Sequence, residues 1–211
     1  MALIHAGRVA DLADMRLAFA VIVVGILGAA FVYHQRRSVL EHRLGAVASR
    51  LADRNVHVHC QGLTGELLDV TAEAGTVQFD ANGPVDITHL KRPICNALRR
   101  FPHDVKGRSY ACVLAQADCP RGIFEDVLAV HTLAHESWHL RGNTSESLTE
   151  CHALQTTAFA ATLLGADPQA AQATATYALL RLYPNLPDEY RTFECANGGP
   201  MDLRPTDPHW P

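Results

Sequence analysis

His135, Glu136 and His139 form the arrangement His-Glu-x-x-His inside the run from His131 to Leu140. Two imidazoles four residues apart lie one above the other on a single helical face, close enough to bind one zinc ion through ring nitrogens. Glu136, between them, is placed to take a proton from water. These are the parts of a hydrolytic metal site. The chain holds 12 histidines among 211 residues, so a histidine-rich core helix without metal is the competing reading. The surroundings favour the site. Ile123 to Leu140 contains no proline, and Val127, Leu128, Val130, Leu133, Ala134 and Trp138 recur at helical spacing. Gly122 precedes the segment and Gly142 follows it, as glycines bound helices.

His131 continues the same stripe one turn earlier. A helix rises about 1.5 Å per residue, which sets His131 about 12 Å from His139, too far to share one ion with both others. It reads as a packed histidine behind the ligands.

A catalytic zinc usually takes three protein ligands and leaves the fourth position open. Thr144 and Ser145 are good N-caps for a following helix, Glu146 suits its first turn, and Gly142-Asn143 make the turn between. In this short helical hairpin 135 pairs with 151 and 139 with 147, which brings Glu150 level with the histidine pair. Glu150 is the favoured third ligand; Glu146 is expected at the helix cap or in solvent, with His152 or a distant residue as further alternatives.

His135-Glu136-Ser137-Trp138-His139 followed by Glu150-Cys151-His152-Ala153 resembles the HExxH zinc metallopeptidases of the gluzincin group, especially small membrane-anchored bacterial ones with a Glu-x-x-Ala second motif. The resemblance covers about residues 123 to 165. It implies zinc as cofactor, His135, His139 and Glu150 as ligands, Glu136 as the base, and a protein or peptide as substrate. In such peptidases an extended substrate lies along a strand edge beside the metal helix, which would make the strand near Val77 the edge here.

Elements that position these residues are legible around them. Val56 to Cys60 and Gly75 to Asp80 alternate apolar and polar before the turn Asn82-Gly83-Pro84, implying a short antiparallel sheet. His57 and His59 fall on its polar face and read as solvent-exposed. Ile87 to Phe101 reads as a helix interrupted early by Pro93, and Ser109 to Pro120 as a loop or short strand held by cysteines. Asp167-Pro168 opens a further alanine-rich helix to about Tyr183. From about residue 184 the chain becomes an irregular, proline-rich tail whose Tyr190, Phe193, Cys195 and Trp210 predict packing across the domain. The fold class is α+β: a small sheet, then a zincin-like helical hairpin bundle.

Residues 17 to 33 are uncharged and apolar, spanning about 26 Å as a helix, which Arg16, Tyr33 and Arg36 extend by snorkelling. A single transmembrane helix over 17–35 is the leading reading, after a flank at 1–16; a cleaved signal peptide is the rival. Residues 36–54 continue as a polar helix with Leu40, Leu44, Val47 and Leu51 on one side, either a stalk or an element packed on the domain at 55–211.

Arginines on the two flanks lean slightly towards a cytoplasmic domain. Cysteines lean the other way: all six follow the anchor and suggest disulfides in an oxidising, extracytoplasmic compartment. Cys112 with Cys119, Cys151 with Cys195 and Cys60 with Cys95 is the expected pairing, one of fifteen. A net charge of -4 with dispersed arginines offers no basic face, so no nucleic acid is expected as partner. The sequence therefore predicts a membrane-anchored zinc peptidase. Its alternatives are a catalytically idle zinc domain and a disulfide-stapled envelope domain with a structural role.

Overall fold

Leu40, Leu44, Val47 and Leu51 recur at three- and four-residue steps, and in the computed structural model they line the buried side of a long helix, α1 (Leu12–Ala52). The structure describes residues 12–62, 73–207 and 210–211. The chain divides into a unit ending at Val39 and a second from Leu40 to Pro211. In the first, Leu17, Phe19, Ile22, Val24, Leu27 and Phe31 are all exposed. This stretch has mean hydropathy 2.4 and is long and apolar enough to cross a membrane.

In the second unit residues 40–52 belong to the core, with Leu44 and Ala48 fully buried. Of the two readings for this segment, packing on the domain holds. The Arg43 guanidinium donates to the Leu164 carbonyl at 2.8 Å, and Ser49 exchanges hydrogen bonds with the backbone of Val56, closing the turn into the sheet.

Three strands follow: β1 (His57–Cys60), β2 (Gly75–Asp80) and β3 (Gly83–Leu90), in the order β1-β3-β2. The expectation of an antiparallel sheet is met only in part. β2 and β3 form an antiparallel hairpin, but β1 lies parallel to β3, with His59 beside His89. Gly83 supplies the positive φ at the hairpin turn. β3 occupies the centre because it carries the buried Thr88 and Leu90, leaving β2 as an edge.

The predicted helix from Ile87 is corrected accordingly. Residues 83–90 are strand, the β-branched Val85, Ile87 and Thr88 suiting it, and helix α2 (Arg92–Asp104) begins only after the extended Lys91, with Pro93 in its first turn. Ser109–Pro120 is also not strand: a 3₁₀ turn (Arg108–Tyr110) leads into the one-turn helix α3 (Ala111–Leu114).

The central element is α4 (Arg121–Arg141), buried almost continuously from Asp126 to Leu140. It packs against α5 (Glu146–Leu164), α2 and the sheet. α6 (Pro168–Tyr177) then covers α5 and leads into a π-helical turn over Ala178–Leu182. The helix predicted to about Tyr183 thus changes pitch after Tyr177.

Disulfides join Cys60 to Cys95, Cys112 to Cys119 and Cys151 to Cys195, as the sequence predicts, leaving no free cysteine. They tie β1 to α2, close the loop before α4, and fasten the tail to α5. In that tail Cys195 is buried and Trp210 half-buried, whereas Phe193 is 93% exposed, contrary to its expected packing.

Candidate metal centre

Local sequence explains why the two helices meet as they do. At the end of α4, Gly142 takes a positive φ, its N–H donates to the His139 carbonyl, and the Asn143 N–H donates to the Trp138 carbonyl at 3.1 Å. Ser145 then caps α5 by accepting from the Leu148 N–H. The short turn forces the helices antiparallel, and the histidines on α4 interleave with the glutamates on α5. In space the order is His131, Glu150, His135, Glu146, His139.

Each step of this ladder is a short contact. Glu150 bridges His131 Nε2 at 2.8 Å and His135 Nδ1 at 2.9 Å. Glu146 Oε2 lies 3.2 Å from the Nε2 atoms of both His135 and His139. Those two nitrogens are 3.0 Å apart. His135, His139 and Glu146 thus bring three ligand atoms together in a nearly equilateral triangle. Tetrahedral zinc with bonds of about 2.0–2.1 Å separates its ligand atoms by roughly 3.3 Å, so the triangle is close to the right size.

The remaining ring nitrogens are committed elsewhere. His135 Nδ1 faces Glu150, and His139 Nδ1 donates to the Asn143 carbonyl at 2.8 Å. Holding each Nδ1–H in this way turns Nε2 towards the triangle. His131 Nδ1 meets the Thr157 hydroxyl, which donates to the Ala153 carbonyl. His131 is therefore a packed partner behind the pair.

Glu150, the expected third ligand, does not face the triangle. An imidazole carries its nitrogens on two edges, and the carboxylates at 146 and 150, one helical turn apart, take one edge each of His135. Glu150 takes the inner edge and is almost wholly buried; Glu146 takes the outer one and is partly exposed. His152 is turned away, with its Nδ1 accepting from the Asn143 amide and its ring against Trp138.

Glu136 is 4% exposed. The sheet covers it: the Thr88 hydroxyl, which donates to the Thr76 carbonyl, lies 3.4 Å from Glu136 Oε2. A Cβ on Gly75 would sit 2.7 Å from the Glu136 Cγ, so only glycine fits there without displacing the glutamate. Sequence reading missed Gly75 and Thr88, since neither residue type signals a role until the sheet is folded onto α4.

Electrostatics follow from this crowding. Burial pushes Glu136 up to about 6, against the pull of the two imidazoles. Burial works to lower His135, but its bonds to Glu146 and Glu150 outweigh it and hold the ring at about 10. Glu146 is held down to about 2 by its bonds to His135 and His139. Glu150 is raised by burial yet reaches about 2 under the charge and hydrogen bond of His131, then of His135. The pocket thus demands positive charge at its centre, which a proton or a divalent cation can supply.

Two aromatic rings border the triangle. Phe79 on β2 stands edge-on to His139 at 6.3 Å, and Tyr190 from the tail lies 5.7 Å from His135. Burial, and then the charges of Glu146, Glu73, Glu136 and Glu189, push the Tyr190 phenol up to about 12. Compared with known protein families, curated proteins and solved structures, the chain finds no match.

Proposed function

We propose that the chain is a membrane-anchored zinc-dependent peptidase, its zinc held by His135, His139 and Glu146. The observation that carries this reading is the triangle of two Nε2 atoms and one carboxylate oxygen, with edges of 3.0 to 3.2 Å. Both histidines have Nδ1 engaged, so their Nε2 atoms are already aimed at the triangle. Glu150 serves as the carboxylate that orients His135 rather than as a ligand.

A bound zinc ion supplies Lewis acidity, which acidifies water and polarises a carbonyl. Glu136, next to His135 on α4, would take the proton of the attacking water and deliver it to the departing amine. β2 holds Glu136 against α4 and excludes bulk solvent from it. The exposed apolar stretch of α1 supports a single-pass anchor, and three disulfides support an extracytoplasmic domain.

A second reading has its own observation. The alternating histidines and glutamates already satisfy one another without metal, as a buried ion ladder holding α4 to α5 would. Zinc content of the full chain in detergent micelles separates the two. Expected is about one zinc per chain, lost in His139→Ala and Glu146→Gln and kept in Glu136→Gln, with peptide hydrolysis lost in all three. A native chain without zinc after metal loading sinks the peptidase reading and leaves the ladder as a structural clasp.

A further inference from the structure

The tail after residue 184, whose aromatic residues predict packing across the domain, contributes a ring to the site. The segment around Tyr190 is pinned at two points. At one, the Tyr183 hydroxyl donates to the Thr192 carbonyl at 3.0 Å and accepts from the Thr192 N–H at 2.8 Å. At the other, Cys195 is bonded to Cys151, the neighbour of Glu150 on α5. Just before these two points the 3₁₀ turn Asp188–Tyr190 packs on α5 and sets the Tyr190 ring 5.7 Å from that of His135.

Hydrolysis of an amide builds negative charge on the carbonyl oxygen, and a fixed donor beside the metal stabilises it. Among the described residues, candidates for that donor are few. Glu136, Glu146 and Glu150 are acceptors when ionised, and both ligand histidines have their N–H groups committed. Thr88 donates to the Thr76 carbonyl. Tyr183 and Tyr177 are used elsewhere: the first holds Thr192 and the second is buried in the core. Tyr190 is half-exposed with its ring 5.7 Å from that of His135, and a phenol carries its proton at neutral pH.

Resting on the zinc reading above, we infer that Tyr190 is the oxyanion donor of this site, and that the Cys151–Cys195 disulfide is what delivers it. The tail is then a catalytic element tethered to the helix that supplies Glu146, and the site is complete only when that bond has formed. Cys195 itself touches no reacting atom. It acts by limiting where the segment carrying Tyr190 can go.

The test uses the full chain in detergent micelles, loaded with cobalt(II) so that visible absorption reports the metal, with inorganic phosphate as a tetrahedral anion. Tyr190→Phe is expected to take up cobalt like the native chain but to bind phosphate about ten- to hundredfold more weakly, the loss of one hydrogen bond to a charged group. Cys195→Ser is expected to weaken phosphate to a similar degree, and to add nothing when combined with Tyr190→Phe. If Tyr190→Phe binds phosphate as tightly as the native chain, the inference is overturned while the metal site stands. If Cys195→Ser weakens phosphate further in the Tyr190→Phe background, the disulfide acts by another route and its part in the inference falls. A native chain that takes up no cobalt or zinc overturns the zinc reading instead, and Tyr190 loses its role with it.

Discussion

Glu150 and Glu146 differ by one turn of helix, and that turn separates a carboxylate on the Nδ1 edge of His135 from one that meets the Nε2 atoms of His135 and His139. Counting equal distances from the Gly142-Asn143 turn favours Glu150, because it treats side chains as points at the height of their Cα atoms. Imidazoles have two usable edges, and the ladder gives one carboxylate to each. On the zinc reading, Glu150→Ala should lower zinc affinity about 10- to 100-fold without changing the number of protein ligands, whereas Glu146→Ala should lose the zinc. Zinc competition titration together with X-ray absorption distinguishes the outcomes, and loss of a ligand in Glu150→Ala would reverse the assignment. Gly75 offers a second check at this scale. Gly75→Ala should cost about 1–3 kcal/mol by overpacking against Glu136. Gly122→Ala, at the start of α4 with open space around it, should be neutral or slightly stabilising. Equal denaturation midpoints for the two variants would mean that β2 does not press on the glutamate.

Elements were legible where periodicity ran long and illegible where neighbours chose. α4, α5 and the α4–α5 turn follow from apolar spacing, caps and Gly142, all of which act within a few residues. β3 was hidden because its usual alternation is inverted: the polar Thr88 is buried on the face it shares with Leu90, while the apolar Val85 and Ile87 lie on the half-buried face. Between α2 and α4 the structure holds a further cluster that no motif marks. Arg100 reaches the fully buried Asp126 at 2.9 Å, with Asp104 and Glu125 around the same guanidinium. Burial, with Asp104 beside it, pushes Asp126 up to about 7 against the pull of Arg100. A carboxyl raised in the folded state keeps its proton where the unfolded chain has lost it, so its contribution to stability falls as pH rises from about 4 to about 7. Melting temperatures of the native chain and Asp126→Asn across that window should diverge, the variant losing this part of the slope. Parallel curves would show that Asp126 does not titrate with folding.

At the scale of the whole molecule, the proposed extracytoplasmic placement rests on the apolar stretch of α1 and the three disulfides. In intact cells a membrane-impermeant alkylating reagent should label the chain only after reduction. No labelling before or after reduction would place the domain on the cytoplasmic side. The sequence alone determined the apolar span, helix α4 and the spacing of His135, Glu136 and His139 along it, because these depend on composition and on spacing along a single helix. Tertiary structure decided the parallel pairing of β1, the burial of residues 40–52, the exchange of Glu146 for Glu150 at the triangle, and the arrival of Gly75 and Tyr190 at the site. Each of these is a contact between segments far apart in the chain, and such contacts are set by which faces bury together, which no local pattern records.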